Sequence, residues 1–131
     1  MKVLVLGGGA QGSAAAYDLL QDEGVTEVVI GDMQTEVASF LEPFLASAGG
    51  SGKLRVAQVD ARDEDSVRRA MEGMTSVVCA LPYYFNLPMT KLAIEAGAHF
   101  ADLGGNTEIV EAQRELDAEA VAAGVSVIPD C

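Results

Sequence analysis

The chain has 131 residues, half of them hydrophobic, and a net charge of −12 from 8 basic and 20 acidic side chains. This size and apolar content predict one folded domain and exclude a disordered chain; two cysteines exclude a disulfide scaffold. Scarce, scattered cations argue against nucleic acid or an anionic membrane as a partner, and the lack of a long apolar run predicts a soluble cytoplasmic protein.

Six short apolar segments, spread along the whole chain, predict β-strands. In chain order they are Val3–Leu6, Glu27–Ile30, Leu54–Val59, Ser76–Ala80, His99–Leu103 and Val125–Ile128. Most are rich in valine, isoleucine and leucine and are nearly continuous in apolarity. Such continuity is typical of parallel strands that are covered on both faces.

Amphipathic segments alternate with these strands and predict helices. Their apolar positions are Ala15, Ala16, Leu19 and Leu20; Val37, Phe40, Leu41, Phe44 and Leu45; Val67, Ala70 and Met71; Met89, Leu92, Ala93 and Ala96; and Ile109, Ala112, Leu116, Ala120 and Ala123. The predicted boundary residues are the N-caps Asp63 and Thr107 and the C-terminal, left-handed glycines Gly24, Gly73, Gly97 and Gly124.

This alternation predicts an α/β fold, because parallel neighbours in a sheet need right-handed helical crossovers. We expect a Rossmann fold with a doubly wound, six-stranded parallel sheet in the order 3-2-1-4-5-6. Neither an internal repeat nor an interdomain linker is visible in the sequence. The prediction is therefore a single domain over residues 1–131.

The first predicted strand leads directly into a turn with the spacing GxGxxG, formed by Gly7, Gly9 and Gly12, and a helix follows. Gly7 permits the tight turn, Gly9 lets a pyrophosphate approach the backbone, and Gly12 lets the helix pack against the sheet. The N–H groups around Ala10 and Gln11 offer positive charge to phosphates. The motif in this context predicts a dinucleotide site; a glycine-rich turn without a ligand is the alternative.

An acidic residue, Asp32, follows the second predicted strand at the distance expected of a dinucleotide-binding unit. A carboxylate there can accept hydrogen bonds from both hydroxyl groups of the adenosine ribose, and it would repel a 2′-phosphate. Met33 and Gln34 supply no arginine that would offset the repulsion. We therefore predict NAD as the cofactor in preference to NADP. The alternative role of Asp32 is to cap the following helix.

Two further strand ends are expected to line the dinucleotide, because the carboxyl ends of strands form the ligand crevice in this fold. Asp60, or the backbone of Ala61, is a candidate for the adenine amino group, and a helix cap shared with neighbouring aspartates is the alternative for Asp60. The residues predicted to flank the nicotinamide ribose are Ala80, Leu81 and Pro82.

Other residues near these strand ends carry weaker predictions. The aromatic run Tyr83–Phe85 faces a substrate or a second domain, or it packs at a helix start. Cys79 is expected to be a buried, unreactive side chain. His99, the only histidine, is at the wrong end of its strand for the crevice. Asp102 contacts a substrate or fixes its own loop. We predict no metal site, and we assign no catalytic residue.

Five segments of the chain, in the same order, resemble the saccharopine dehydrogenase-like oxidoreductases. They are VLGGGAQGSAAAYDLL, Val59-Asp60, ALPYYFN, AIEAGAHFADLGG and AGVSVIPDC. Within the family, ALPYYFN and DLGG look most like lysine 6-dehydrogenases. By this resemblance the dinucleotide-lining residues are Gly7, Gly9, Ala10, Gln11, Gly12, Asp32, Asp60, Ala61, Ala80, Leu81 and Pro82.

The resemblance implies a Rossmann domain that is followed, in the family, by an α/β domain for substrate binding, catalysis and dimer contacts. We therefore expect the NAD-binding domain of an NAD-dependent amino-acid dehydrogenase, present as a fragment without turnover of its own. Its parent is expected to be a homo-oligomer that transfers hydride from an amino acid. The alternative is a regulatory NAD-sensing module, either stand-alone or of the kind attached to potassium channels. An S-adenosylmethionine methyltransferase usually carries GxGxG, and Gly12 argues against that class.

Overall fold

The computed structural model describes residues 1–34, 36, 43–49 and 51–131. Within these residues the strands are Lys2–Leu6 (β1), Glu27–Asp32 (β2), Leu54–Gln58 (β3), Ser76–Cys79 (β4), His99–Asp102 (β5) and Val127–Ile128 (β6). The helices are Ala10–Gln21 (α1), Glu64–Met71 (α2), Asn86–Ala96 (α3), Thr107–Arg114 (α4) and Asp117–Ala123 (α5). Short 3-10 turns lie at Ser51–Lys53 and Tyr83–Phe85.

The described strands form one parallel sheet in the order β3-β2-β1-β4-β5-β6. This confirms the predicted doubly wound Rossmann topology. Leu6 at the end of β1 lies in register with Gly31 of β2 and with Cys79 of β4. The carboxyl ends of these strands therefore lie side by side. The strand order reverses between β1 and β4, which is where ligands of open α/β sheets bind.

The residues of β1 alternate between two hydrophobic cores, one on each face of the sheet. Leu4 and Leu6 pack with residues of α2 and α3. Val3 and Val5 pack with residues of α1 on the other face. All four side chains are at most 2% exposed. Burial on both faces explains why the strands are continuous apolar segments in the sequence.

Most predicted helix boundaries are confirmed, and two are wrong. The Asp63 carboxylate caps α2, and Gly73, Gly97 and Gly124 adopt positive φ angles. Thr107 is the first residue of α4, and the Asn106 side chain caps that helix by accepting the Ile109 N–H at 3.1 Å. Asparagine is the stronger N-cap of the two residue types.

Gly24 does not take the left-handed conformation expected of it. Helix α1 ends at Gln21, and its C-cap residue, Asp22, has an extended backbone. The Asp22 carboxylate accepts the Gly24 N–H at 2.6 Å. The extended backbone of Asp22 thus ends the helix, and its carboxylate stabilises the turn that follows.

Strand ends differ from the prediction by one or two residues. β2 continues to Asp32, so this carboxylate belongs to the strand end itself. β6 begins at Val127, two residues later than expected, while β3, β4 and β5 each end one residue earlier. Ladder pairing with a neighbouring strand decides these ends, and apolarity alone does not report it.

The single helix predicted over residues 109–123 is two helices, α4 and α5. They are separated at Glu115 and Leu116. Leu116 has φ −87° and ψ 9°, outside the α-helical region, and its carbonyl oxygen accepts the Ala120 N–H at 3.0 Å. Both helices pack against α3. The apolar positions keep a helical spacing across the break, so the periodicity cannot reveal it.

The helix predicted between β2 and β3 falls partly outside the described residues. Val37, Phe40 and Leu41 lie outside them. Residues 43–46 are helical, and Leu45 is fully buried. The ring of Phe44 stacks on Tyr17 of α1 with centroids 4.7 Å apart.

Candidate functional site

The glycine turn between β1 and α1 owes two of its glycines to packing. Gly7 has a φ of +97°, and a Cβ atom there would lie 2.9 Å from the Ala80 carbonyl oxygen. At Gly12 a Cβ atom would collide with the carbonyl oxygen of Gly7. These are the tight turn and the close helix–sheet approach that the motif predicts. Both glycines are therefore required by the fold, with or without a ligand.

Gly9 differs from the other two, because no protein atom requires it to be a glycine. A Cβ atom at Gly9 would meet nothing within 4 Å, and its φ of −70° is open to any residue. The space above it is free for a ligand. Ala10 and Gln11 are exposed, and no side chain caps α1. The first N–H groups of a helix have no intrahelical partner, so this end of α1 can bind an anion such as a pyrophosphate.

Ser13 stabilises the turn through hydrogen bonds, a role that was not predicted from the sequence. Its buried hydroxyl lies 2.6 Å from the Gly9 carbonyl oxygen and 3.0 Å from that of Gly8. These contacts hold both carbonyl groups toward the protein. The exposed N–H groups at the start of α1, around Ala10 and Gln11, remain without an intrahelical partner. A small polar residue directly after the last glycine was the available signal.

Asp32 lies at the carboxyl end of β2, directly beside the glycine turn. Its Oδ2 accepts the Gly8 N–H at 2.7 Å, and its Oδ1 accepts the Gln34 N–H at 2.8 Å. The side chain is half-buried and the adjacent Met33 is exposed. A carboxylate has about four lone-pair sites, so each oxygen of Asp32 retains capacity for one further donor.

A cavity of about 230 Å³ opens next to Asp32 between the ends of β2, β3 and β4. Its lining residues are Leu6, Gly31, Asp32, Met33, Val59, Asp60, Ala61, Arg62, Leu81 and Phe85. The inner part is apolar, and the charged groups lie on the rim. A flat aromatic base with polar edges suits such a cavity.

Asp60 and Arg62 form an ion pair on the rim of this cavity. The Nε and Nη2 groups of Arg62 each donate to a different oxygen of Asp60 at 2.9 Å. This two-pronged contact lowers the pKa of Asp60 to about 2 and raises the pKa of Arg62. Asp60 does not cap α2, since Asp63 does so. Arg62 was not predicted as a site residue, although it follows Asp60 by only two residues in the sequence.

The β4 side of the crevice is formed by the segment that follows Cys79. The Ala80 N–H donates to the Leu6 carbonyl oxygen at 2.8 Å, which extends the pairing of β1 and β4. Leu81 reaches the cavity and Pro82 is exposed. Tyr83 and Tyr84 are 45% and 59% exposed, and their rings meet edge to face. These aromatic side chains do not pack into the core, which leaves them available to a partner surface.

Asp102 fixes its own loop, one of its two predicted roles. It is fully buried and accepts hydrogen bonds from Gly104 N–H at 2.7 Å, Gln113 Nε2 at 2.6 Å and Asp130 N–H at 3.2 Å. Cys79 is also fully buried, and desolvation raises its pKa to about 12. The structure thus agrees with the prediction that Cys79 is not a nucleophile.

His99 is the first residue of β5 and lies at the amino end of this strand. The glycine turn follows the carboxyl end of β1, at the other end of the parallel strands. Its Nδ1 accepts the Ser126 N–H at 3.0 Å. Among the residues that the structure describes, no cluster of His, Cys, Asp and Glu is arranged to hold a metal ion. Nor is any helix in that part of the chain long and apolar enough to cross a membrane.

Comparison with known protein families finds a family model described as the saccharopine dehydrogenase NADP-binding domain, which matches residues 3–128. The chain belongs to this family. As a member of the saccharopine dehydrogenase NADP-binding domain family, it is a pyridine-dinucleotide-binding domain of saccharopine dehydrogenase-like oxidoreductases. The resemblance noted in the sequence is thereby confirmed at the level of the family.

Solved structures share the fold over 98% of this chain. Apo saccharopine dehydrogenase (L-Glu forming) from Saccharomyces cerevisiae has a TM-score of 0.79 at 22% identity. GenD2 from gentamicin A biosynthesis, in complex with NAD, has 0.67 at 25% identity. Triphenylmethane reductase from Citrobacter sp., complexed with NADP(H), has 0.68 at 18% identity. The chain spans 26%, 34% and 48% of these three chains respectively.

Proposed function

We propose that the chain is the NAD-binding domain of an NAD-dependent amino-acid dehydrogenase of the lysine or saccharopine type. The observation that carries the proposal is the Asp32 carboxylate, which accepts the Gly8 N–H at 2.7 Å beside the glycine turn. A carboxylate in this position suits the hydroxyl groups of an adenosine ribose. A bound nicotinamide would supply the ring that accepts a hydride from the substrate carbon that bears the amine.

Each part of a dinucleotide has a matching part of the site in this proposal. The pyrophosphate lies over Gly9 and accepts hydrogen bonds from the first N–H groups of α1, around Ala10 and Gln11. The adenine enters the cavity of about 230 Å³ beside Asp60 and the backbone of Ala61. The residues assigned to the nicotinamide ribose are Ala80, Leu81 and Pro82. No catalytic acid or base is assigned within the chain.

Charge supports NAD in preference to NADP in this proposal. A 2′-phosphate carries about −1.5 to −2 charge at pH 7 and would lie against the Asp32 carboxylate. Residues 3–52, which include the glycine turn and β2, contain no lysine or arginine. The family description names NADP, whereas the GenD2 structure contains NAD. The choice therefore rests on the chemistry of Asp32.

The substrate side of the reaction is assigned to the rest of a longer parent protein, since the chain spans 26% of the yeast enzyme. We infer that Tyr83 and Tyr84 face the substrate or a second domain, because exposed aromatic side chains beside a crevice suit such contacts. The parent is proposed to be a cytoplasmic homo-oligomer that acts on a small amino acid.

Titration calorimetry with NADH tests the proposed site through a matched pair of valine variants. Gly9→Val places a side chain in the open space above the turn and should weaken NADH binding at least about tenfold. Gly52→Val serves as the control, because a Cβ atom there also meets nothing within 4 Å. Both variants should melt close to the wild-type temperature.

The same purified chain should turn over no L-lysine with NAD, and it should show no binding of S-adenosylmethionine. Unchanged NADH affinity in Gly9→Val would contradict a dinucleotide site over the turn. Robust turnover of L-lysine by the 131-residue chain would contradict the assignment of the substrate side to residues outside it.

A further inference from the structure

Arg62 forms part of the cavity rim and is held there by three contacts. Its Nε and Nη2 groups donate hydrogen bonds to the two carboxylate oxygens of Asp60. The Nη2 group also lies 3.1 Å from the Sδ atom of Met33. The Arg62 backbone N–H adds a bond of 3.0 Å to Asp60 Oδ1. Asp32, Met33 and Arg62 all line the same cavity, so the guanidinium and the Asp32 carboxylate share one rim.

Arg62 is also the one cation among the described residues that line this cavity. Residues 3–52 contain no lysine or arginine at all. Lys2 and Arg55 pair with Glu27 near the amino ends of their strands, at the opposite end of the sheet from this cavity. Among the described residues of this chain, Arg62 is therefore the cation that the cavity offers to a 2′-phosphate beside Asp32.

We propose that Asp60 determines cofactor selectivity by occupying the guanidinium of Arg62, so that a 2′-phosphate finds no free cation beside Asp32. The role rests on the proposed dinucleotide function, and it makes Asp60 a positioning residue that acts through Arg62. Asp32 alone would repel a phosphate; Asp60 also withdraws the group that would compensate for that repulsion.

The charges on the rim explain why the phosphate does not simply displace Asp60. Two carboxylates, Asp32 and Asp60, and one guanidinium line this cavity, so a phosphate that approaches Arg62 meets net negative charge. Asp60 is only two residues from Arg62, and bidentate arginine–carboxylate contacts are the strong, geometrically specific ones. Replacing the Asp60 carboxylate with an amide removes one negative charge, so the charges of Asp32 and Arg62 on the rim then balance. The amide holds the Arg62 guanidinium less strongly than the carboxylate does, so the guanidinium becomes available to a phosphate.

The test compares binding of 5′-AMP and of adenosine 2′,5′-bisphosphate, which differ only in the 2′-phosphate. Wild type, Asp60→Asn, Arg62→Ala and the double variant are titrated at about pH 8, where a phosphate with a pKa of about 6 is dianionic. Wild type should prefer 5′-AMP. Asp60→Asn should shift the ratio of the two affinities toward the bisphosphate by about tenfold. The double variant should lose this gain.

Arg62→Ala alone should change the affinity ratio by less than about threefold, since Asp60 already occupies the guanidinium. Glu111→Gln is the control, because it removes one acidic charge from an exposed arginine pair on α4, formed with Arg114 at 3.1 Å. It should leave the ratio unchanged.

Several results would overturn the role of Asp60. One is an unchanged ratio in Asp60→Asn, and another is a gain that survives in the double variant. A large loss of bisphosphate affinity in Arg62→Ala would show that Arg62 already binds the phosphate in the wild type. If wild type binds neither nucleotide nor NADH, the proposed function itself fails, and the role of Asp60 fails with it.

Discussion

Replacing Asp32 with alanine should weaken NAD binding at least about tenfold, which corresponds to about 1.4 kcal/mol. NADP binding should change little or improve. The prediction follows from the position of the carboxylate at the end of β2, where it would accept the ribose hydroxyl groups and repel a 2′-phosphate. The substitution removes the hydrogen bonds to the ribose, which weakens NAD binding. It also removes the repulsion of a 2′-phosphate, which favours NADP binding.

The size of the effect follows from the hydrogen bonds that Asp32 already makes. The Gly8 and Gln34 N–H groups occupy one site on each carboxylate oxygen, at 2.7 and 2.8 Å. One site on each oxygen remains for a ribose hydroxyl, and a hydrogen bond to a charged group contributes about 1.5–3 kcal/mol. The ribose hydroxyl groups give up hydrogen bonds to water when they bind, which reduces the net contribution of the two bonds. We therefore take a loss of about 1.4 kcal/mol as the lower limit. Repulsion of a phosphate charge about 4 Å away is worth about 1 kcal/mol even in bulk water.

Calorimetric titration of NAD and NADP at one salt concentration measures both affinities for each protein. Asp18→Ala is the matched control, since it removes an exposed carboxylate from α1 at the same cost in net charge. Asp32→Ser combined with Met33→Arg should reverse the preference toward NADP, because an arginine can pair with the phosphate. Thermal melting of each variant reports how far the loss of the Gly8 contact destabilises the turn.

An equal loss of both affinities in Asp32→Ala would refute the reasoning. Asp32 would then only brace the glycine turn through Gly8, and the assignment of NAD would have no basis. The same conclusion would follow if Asp18→Ala shifted the two affinities as much as Asp32→Ala did, because the effect would then be one of net charge.

Two further predictions concern the buried parts of the site. Gly12→Ala should lower the free energy of unfolding by about 1–3 kcal/mol or more in urea titrations, since its Cβ atom would collide with the Gly7 carbonyl oxygen; wild-type stability in this variant would contradict the packing role. Burial raises the pKa of Cys79 to about 12, so this side chain stays a neutral thiol at about pH 8. The native chain should therefore react with a thiol reagent at this pH through one thiol, that of the exposed Cys131. Reaction of both thiols at similar rates before unfolding would contradict this.

The glycine turn shows how far a sequence motif can be interpreted. The spacing of Gly7, Gly9 and Gly12 predicted a strand–turn–helix unit, and the structure contains it. The motif alone does not show that packing requires a glycine at two of these positions, Gly7 and Gly12, and does not require one at Gly9. That difference depends on the neighbours of each Cβ position: the Ala80 carbonyl oxygen lies against Gly7, and open space lies above Gly9. The neighbour of Gly7 comes from the segment after β4, far along the chain.

The charged residues around the cavity show the opposite limit. Asp60 was predicted to contact adenine or cap a helix, and its pairing with Arg62 was not foreseen. Two residues apart in sequence, they form a pair only because the turn after β3 directs both side chains to the same rim. The predicted dinucleotide contacts of Asp60 and Ala61 remain predictions.

The sequence by itself determined the α/β class, the two-sided burial of the strands and the position of the glycine turn. These properties follow from local patterns: apolar runs, helical spacing and a motif of contiguous residues, each of which constrains the backbone directly. Only the tertiary structure decided the break between α4 and α5, the caps at Asp22 and Asn106, and the proximity of Arg62 to Met33. These depend on hydrogen bonds and contacts between groups whose relative positions exist only after the sheet has formed, and local periodicity carries no record of them.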